Sequence, residues 1–545
     1  MSPRPPNAAA PSSILDALNH HADAARESLA FNVEGRALTF GEVRDGARRA
    51  ATALLGAGIQ RGDHLGLLLP TCIEFPLLLF GAQWIGAAPV ALDPKLPAMA
   101  ALRRSRIAGC RTVIAGDDEI GALRQANEIA SAPPERSRGR PSDESPVLIS
   151  VSELSIDRAA PVAEPPRADP DAAAYLQITS GTTGEPRAAI VSHRALIAGL
   201  ELMRRQRNPQ PDEIFAGWVP LHHDLGLVTF VFFSLYLGRP SHLIQPSIPG
   251  LRRWLETISR ERATMSAAPD FAYRIAARTV PPGAVELSSL RISTNGGEPV
   301  RASTIETFEN RFNISRVIRP AYGLAEATLN VSMLPPGEAM RVDSAGSVSC
   351  GPPGEGLEVR TVDDEGRATP AGEPGRIIVR GASLFSGYWN DPESTAAALR
   401  NGWLHTGDVG ALDADGHLYI RGRERALIKR AGAMVAPREV EEIVDATPGV
   451  RFSAAVGLPP AEGEAEDVVV VAEVREDAAT DEGALAAIAR DAADRVAAAL
   501  GFAPGRVLLV RPRSIPRTGS GKIRYNELRR IIAEGELNRF DALLF

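Results

Sequence analysis

Apolar residues recur at helical spacing through Val43, Ala47, Ala50, Ala51, Leu54 and Leu55, and Thr39 with Glu42 has the form of a capping box just upstream. Gly56 and Gly58 stop this helix, and a strand is predicted directly after it over residues 64–69. The theme then repeats: Pro76 opens an apolar helix, and the small and apolar residues 87–92 form a second strand. Residues 75–92 carry no charge over 18 positions, which touches the length of a membrane span. Pro76, Gln83, Pro89 and two glycines interrupt the run, so it reads as a buried helix followed by a buried strand, and no membrane span is expected. Helix and strand alternate, which predicts an α/β fold with a mostly parallel sheet. Residues 131–171 are rich in Pro, Ser, Arg and Glu and read as a long surface connection with one short strand at 147–151.

Beyond Arg421 the pattern changes texture. A helix is predicted over 437–446, strands over 452–457 and 468–474, an Ala-rich helix over 482–500, a strand over 507–510 and a last helix over 525–533. The expected organisation is a tail (1–13), a large N-terminal region of α/β subdomains (14–420), a hinge (421–425) and a small mobile α+β lid domain (426–545).

Composition narrows the function classes. At roughly 100 to 200 residues per folding unit, 545 residues suggest three or four such units. Hydrophobic (44%) and charged (23%) fractions are those of a soluble globular protein with a large core. Sixty basic against 67 acidic residues give a net charge of −7 with no long basic run, which argues against a nucleic-acid partner. Cys72, Cys110 and Cys350 form no CxxC pair, so neither a disulfide framework nor a structural zinc site is expected, and a reducing cytoplasm is the natural location. Met1 to Ser12 lacks an apolar signal-peptide core and reads as a frayed tail.

Five segments carry candidate chemistry. Thr179-Ser180-Gly181-Thr182-Thr183-Gly184 follows an apolar strand and packs four hydroxyls and two glycines into six residues, a composition whose amides and hydroxyls can converge on phosphate oxygens. It is not a Walker loop, because GxxxxGK[ST] occurs nowhere. His222-His223-Asp224 runs into the aromatic-rich stretch 228–237; read alone it is a capped helix start rather than a metal site, and the aromatics read as core. Asn295-Gly296-Gly297-Glu298-Pro299 and Ala321-Tyr322-Gly323-Leu324-Ala325-Glu326 combine glycines with a flat ring suited to a planar base, and Glu326 is a hard oxygen donor suited to magnesium. Asp408, in Trp403-Leu404-His405-Thr406-Gly407-Asp408, reads as lying at a strand-end turn where it could hold ribose hydroxyls. Finally Arg423, Lys429, Gly432 and Glu439, with Pro516 to Lys522, place a lysine on a glycine-flanked loop.

In this order and spacing the five segments resemble the adenylate-forming superfamily of acyl-CoA synthetases, nonribosomal-peptide adenylation domains and luciferases, from Ile14 to about Ile532. Residues 254–273, His223-Asp224, 295–300, 322–329 and Val348 to Gly351 look like its fatty acyl-AMP ligase branch. The resemblance implies that Thr179, Ser180, Gly181, Thr182, Thr183 and Gly184 form the phosphate loop. It further implies that Gly297, Glu298 and Tyr322 hold adenine, that Asp408 and Arg423 hold ribose, and that Glu326 carries Mg2+. His223 would guard the acyl pocket, Arg425 would be the hinge, and Lys522 would enter the site for adenylation. The implied reaction joins ATP and a fatty or fatty-like carboxylic acid into acyl-AMP with release of pyrophosphate, followed by transfer to CoA.

Three features depart from the pattern. Arg187 stands where the family usually has lysine, residues 333–347 are too short for the insertion that restrains the lid of fatty acyl-AMP ligases, and 428–432 with 437–441 look more like acyl-CoA synthetases. The alternative outputs are therefore transfer to the phosphopantetheine of an acyl carrier protein, or release of acyl-AMP to a partner transferase. A catalytically silent acyl- or nucleotide-binding protein is the reading from another class; it would be expected to lack Lys522 or Glu326, and both are present.

Overall fold

The computed structural model describes residues 11–131, 145–162, 168–179, 186–424, 426–430, 433–458, 466–478, 481–517 and 523–537. The first predicted helix forms as Phe40–Gly56, with Thr39 accepting from the Glu42 amide and the Glu42 carboxylate accepting from the Thr39 amide. His64–Leu68 follows as a fully buried strand, then the buried helix Glu74–Trp84, with Pro76 tolerated in its first turn, and the strand Ala88–Ala91. No helix among the described residues is long and apolar enough to cross a membrane.

These elements build two large sheets. Seven strands run in the order Gly387–Tyr388, Arg187–Ser192, Ala173–Thr179, Ala88–Ala91, His64–Leu68, Cys110–Ala115, Val147–Ser150; pairing is antiparallel on both sides of Arg187–Ser192 and parallel beyond. Eight strands form the other, with six parallel strands from Ile318–Tyr322 to Leu29–Val33 flanked by antiparallel edges at Ser332–Met333 and Arg36–Thr39. Between the two lies an apolar core that takes Phe31 and Phe215 from one sheet and Leu65 and Tyr175 from the other, with Phe230, Phe232 and Phe233 packed among them. The apolar stretch after Asp224 is thus core, wound over Leu227–Phe233 as a π-helix.

Residues 357–423 depart from the expected parallel pattern. They form a third, antiparallel sheet from Leu357–Val362, Gly375–Gly381, Leu399–Arg400, Trp403–Leu412 and Leu418–Arg423, linked to the larger sheets by a core shared among Tyr322, Ala189, Ile377 and Leu404. The C-terminal elements follow the sequence closely: Pro437–Asp445, Val450–Leu458, Asp467–Val474, Glu482–Leu500, Arg506–Val510 and Tyr525–Glu534. Their three strands are apolar on both faces, each face covered by its own cluster of helical side chains.

Candidate active site

The parallel strands of both large sheets deliver the candidate residues at their C-terminal ends, where an α/β fold leaves a crevice for ligands. Thr179 ends one strand, and its buried hydroxyl has no partner among the described residues. Ser180, Gly181, Thr182, Thr183 and Gly184 lie outside the described residues, as do Arg425, Gly432 and Lys522. Ile292–Asn295 leads into Gly296, Gly297 and Glu298, and Ile318–Tyr322 leads into Gly323 and Glu326. A Cβ on Gly323 would collide with the Leu329 carbonyl, so only glycine lets these two backbones cross. Thr328 (φ 52°) and Leu329 (φ 75°) are held in left-handed conformation just after Glu326, a local strain of the kind that gathers at functional sites.

Tyr322 donates its hydroxyl to Asp408 Oδ2 at 2.6 Å, and the Arg423 Nε lies 2.9 Å from Asp408 Oδ1. Asp408 is 4% exposed. It is not at a strand-end turn: it sits inside Trp403–Leu412 directly opposite Arg423, beside a register shift at Val409/Gly410 that follows the left-handed Gly407. The bulge, not a chain end, aims the carboxylate at the crevice. Burial beside Asp408 holds the Tyr322 phenol well above its usual range, while the Asp408 charge raises the Arg423 guanidinium.

Glu326 is partly buried, its Oε1 accepts from the Tyr388 hydroxyl at 2.8 Å, and no arginine or lysine forms an ion pair with it among the described residues. Burial pushes its carboxyl pKa up. A desolvated carboxylate that feels Arg423 only at a distance and has no ion-paired cation among the described residues is chemically suited to a divalent ion. Arg187 approaches the same tyrosine, 5.3 Å from the Tyr388 ring and 3.5 Å from Asp391, so the arginine at this position is held between the two rather than free. The short helix Asp224–Gly226 begins at the end of His222-His223-Asp224, and His223 Nδ1 lies 2.7 Å from Asp224 Oδ1.

Gln177, Tyr388, Arg301 and Asp445 escaped the sequence reading, and Glu298 makes a contact that the reading did not foresee. Gln177 donates to the His222 carbonyl at 2.9 Å, and the His222 ring faces Asp93 at 3.7 Å while burial pulls its pKa down to about 4. Glu298 accepts from the Phe271 amide at 2.6 Å, so its carboxylate caps the helix Asp270–Thr279 while the backbone of 296–298 lines the crevice. Tyr388 follows a glycine with φ 135° in a short strand, and that Gly-Tyr step was its one legible signal. From the C-terminal unit, Asp445 pairs with Arg301 at 3.0 Å and Arg438 donates to the Val300 carbonyl, two residues beyond Glu298. Arg517 and Ile523, which bridge to each other, bracket the segment holding Lys522, and Arg517 lies within the electrostatic field of Glu298.

Comparison with known proteins places this geometry. A family model described as AMP-binding enzyme matches residues 18–389. The chain is 30% identical to a medium-chain-fatty-acid–acyl-carrier-protein ligase, JamA of Moorena producens, over 97% of both chains. It is 29% identical to 4-coumarate–CoA ligase 2 of Oryza sativa subsp. japonica, over 77% of this chain and 76% of that one. A structure from work on the fatty acyl-adenylate ligases of E. coli and L. pneumophila superposes with a TM-score of 0.85 at 26% identity, over 98% of this chain and 99% of that chain. The chain therefore belongs to the AMP-binding enzyme family and is an adenylate-forming ligase that activates an acid.

Proposed function

We propose that the protein activates a fatty or fatty-like carboxylic acid with ATP and passes the acyl group to a phosphopantetheine thiol, with CoA as the first acceptor. The network that carries this reading is Tyr322–Asp408–Arg423 set beside Glu326–Tyr388, which offers a flat ring and a buried carboxylate for a nucleoside and a second carboxylate for its metal. In the adenylation step the substrate carboxylate attacks the α-phosphorus and pyrophosphate leaves, so anions are forced together and charge must be offset. Lys522 supplies one cation, and Mg2+ held by Glu326 would supply the rest when bound. Thr179 to Gly184 cradle the phosphates, Gly297, Glu298 and Tyr322 fix the base, Asp408 and Arg423 fix the ribose, and His223 guards the acid. The C-terminal unit, 426–545, acts as a lid that turns about 421–425 with Arg425 as pivot.

The choice of CoA is supported by residues 333–347, a short segment whose Asp343 pairs at 2.7 Å with Arg421, the first residue of the hinge, and with no described residue further toward the C-terminal unit. Nothing in that segment forms an ion pair with the C-terminal unit among the described residues, which leaves the lid to rotate and bring the Gly432 segment toward the adenylate. An acyl carrier protein is the second reading, favoured by the full-length similarity to a carrier-protein ligase. A panel of acids, with pyrophosphate release and thioester formation followed separately for CoA and carrier protein, tests both halves. Pyrophosphate without thioester on either acceptor would overturn the transfer half and point to release of acyl-AMP to a partner transferase.

A further inference from the structure

Arg207 ends the helix His193–Arg207 inside the protein, with 3% of its surface exposed. Its guanidinium lies 5.7 Å from the centre of the Phe233 ring. Nη2 reaches the Thr294 hydroxyl and the Asn330 side-chain oxygen only at 3.5 Å, the far edge of hydrogen-bond distance. Nη1 has no partner, and no carboxylate forms an ion pair with the group among the described residues. The amide nitrogen of neighbouring Gln206 is likewise without a partner, its oxygen being taken by Asn330. Burial with no acidic neighbour pulls the Arg207 pKa down to about 10. Arg301, a part-buried arginine near the site, behaves differently and meets Asp445. A buried cation without a counter-charge is strongly unfavourable, and an unmet donor in such a place calls for an acceptor from elsewhere.

The residues around Arg207 come from the three segments that carry the candidate site. Phe233 closes the run that starts at His223-Asp224, Thr294 precedes Gly297 by three residues, and Asn330 follows Glu326 by four. Phe233 ends the helical run that begins just after His223, through Asp224–Gly226 and then the π-helix Leu227–Phe233. An acid whose reacting carboxylate lies at the nucleotide and whose tail runs inward along this segment brings its far end to Arg207.

We propose that Arg207 is a specificity-determining residue that binds the distal end of the acid, and that the preferred substrate is an α,ω-dicarboxylic acid whose second carboxylate pairs with this guanidinium. The inference rests on the reading of the substrate as fatty or fatty-like and narrows it. Gln206 adds a second donor beside the guanidinium.

The test measures acid-dependent pyrophosphate release by the full-length enzyme on acids of matched length ending in methyl, hydroxymethyl or carboxylate. At the best length the diacid should exceed the methyl-ended acid in kcat/KM by on the order of 10- to 100-fold, the range for a hydrogen bond to a charged group. Arg207→Met should reverse that order, lowering turnover of the diacid while raising that of the methyl-ended acid, and Arg207→Lys should keep part of the preference. Equal kcat/KM for methyl and carboxylate ends in the parent enzyme overturns the assignment without recourse to any variant and leaves acid activation standing. A preference for the hydroxymethyl end over the carboxylate overturns the charge pairing. No pyrophosphate release with any acid of either kind overturns the fatty reading, and this inference with it.

Discussion

Asp408 shows how much of the site depends on single contacts. Its two oxygens are divided between the Tyr322 hydroxyl and the Arg423 guanidinium, so one carboxylate fixes both the ring proposed to hold the base and the arginine proposed to hold the ribose. Asp408→Asn keeps the shape but removes the charge from both bonds, and the KM for ATP should rise by on the order of 10- to 100-fold. Initial rates over an ATP titration check it. Glu326→Gln should raise the magnesium concentration needed for half-maximal pyrophosphate release; superimposable magnesium titrations would make Glu326 a purely structural partner of Tyr388. Tyr322, Glu326, Asp408 and Arg423 were singled out because their short glycine-bearing runs, taken together, resemble those of a known family, and the fold brings Tyr322, Asp408 and Arg423 into one contact network. Tyr388, Gln177 and Arg207 were not, because their partners lie 62, 45 and 87 to 123 residues away and only the topology brings them together.

At the scale of elements, the C-terminal unit was read almost strand for strand. Its helices are strongly patterned, and strands such as Val468 to Val474 are too apolar to be anything but central. The antiparallel sheet over 357–423 was missed because its strands alternate buried and exposed positions over short lengths and are broken by left-handed glycines at 366, 372, 402, 407 and 416, a texture that also describes loops. The helix Pro437–Asp445 holds a further consequence. Glu441 is buried against the Ala455 amide and the Tyr525 hydroxyl, and burial lifts its pKa from 4.5 to about 7. The folded state therefore binds this proton more tightly than the unfolded chain. The associated stabilisation, on the order of 3 kcal/mol, is complete below about pH 4.5 and is lost as pH rises through about 7. Glu441→Gln keeps an acceptor without titrating, so its thermal midpoint relative to the parent should rise across that window and exceed the parent's at about pH 8. Parallel pH profiles of parent and variant would contradict this.

For the whole molecule, the proposed function turns on how the C-terminal unit meets the large region. Arg301, three residues beyond Glu298, pairs with Asp445, and Arg438 donates to the Val300 carbonyl, so the contact is made directly on the segment proposed to hold the base. Arg301→Ala and Asp445→Ala should each slow pyrophosphate release, and the double variant should be no slower than the worse single one, because both remove the same pair. Gly432→Leu should depress thioester formation while adenylation persists, since it narrows the proposed acceptor passage without touching the phosphate loop. Both expectations follow from one central claim, that acid and ATP react at this site to give acyl-AMP and pyrophosphate with Lys522 as the entering cation. Acid-dependent exchange of labelled pyrophosphate into ATP tests that claim most directly, because it reports the adenylation step and no other. Exchange should require the acid and fall by on the order of 10² to 10³ in Lys522→Ala, as for loss of one preorganised charge. Exchange that ignores the acid, or that survives undiminished in Lys522→Ala, would contradict it.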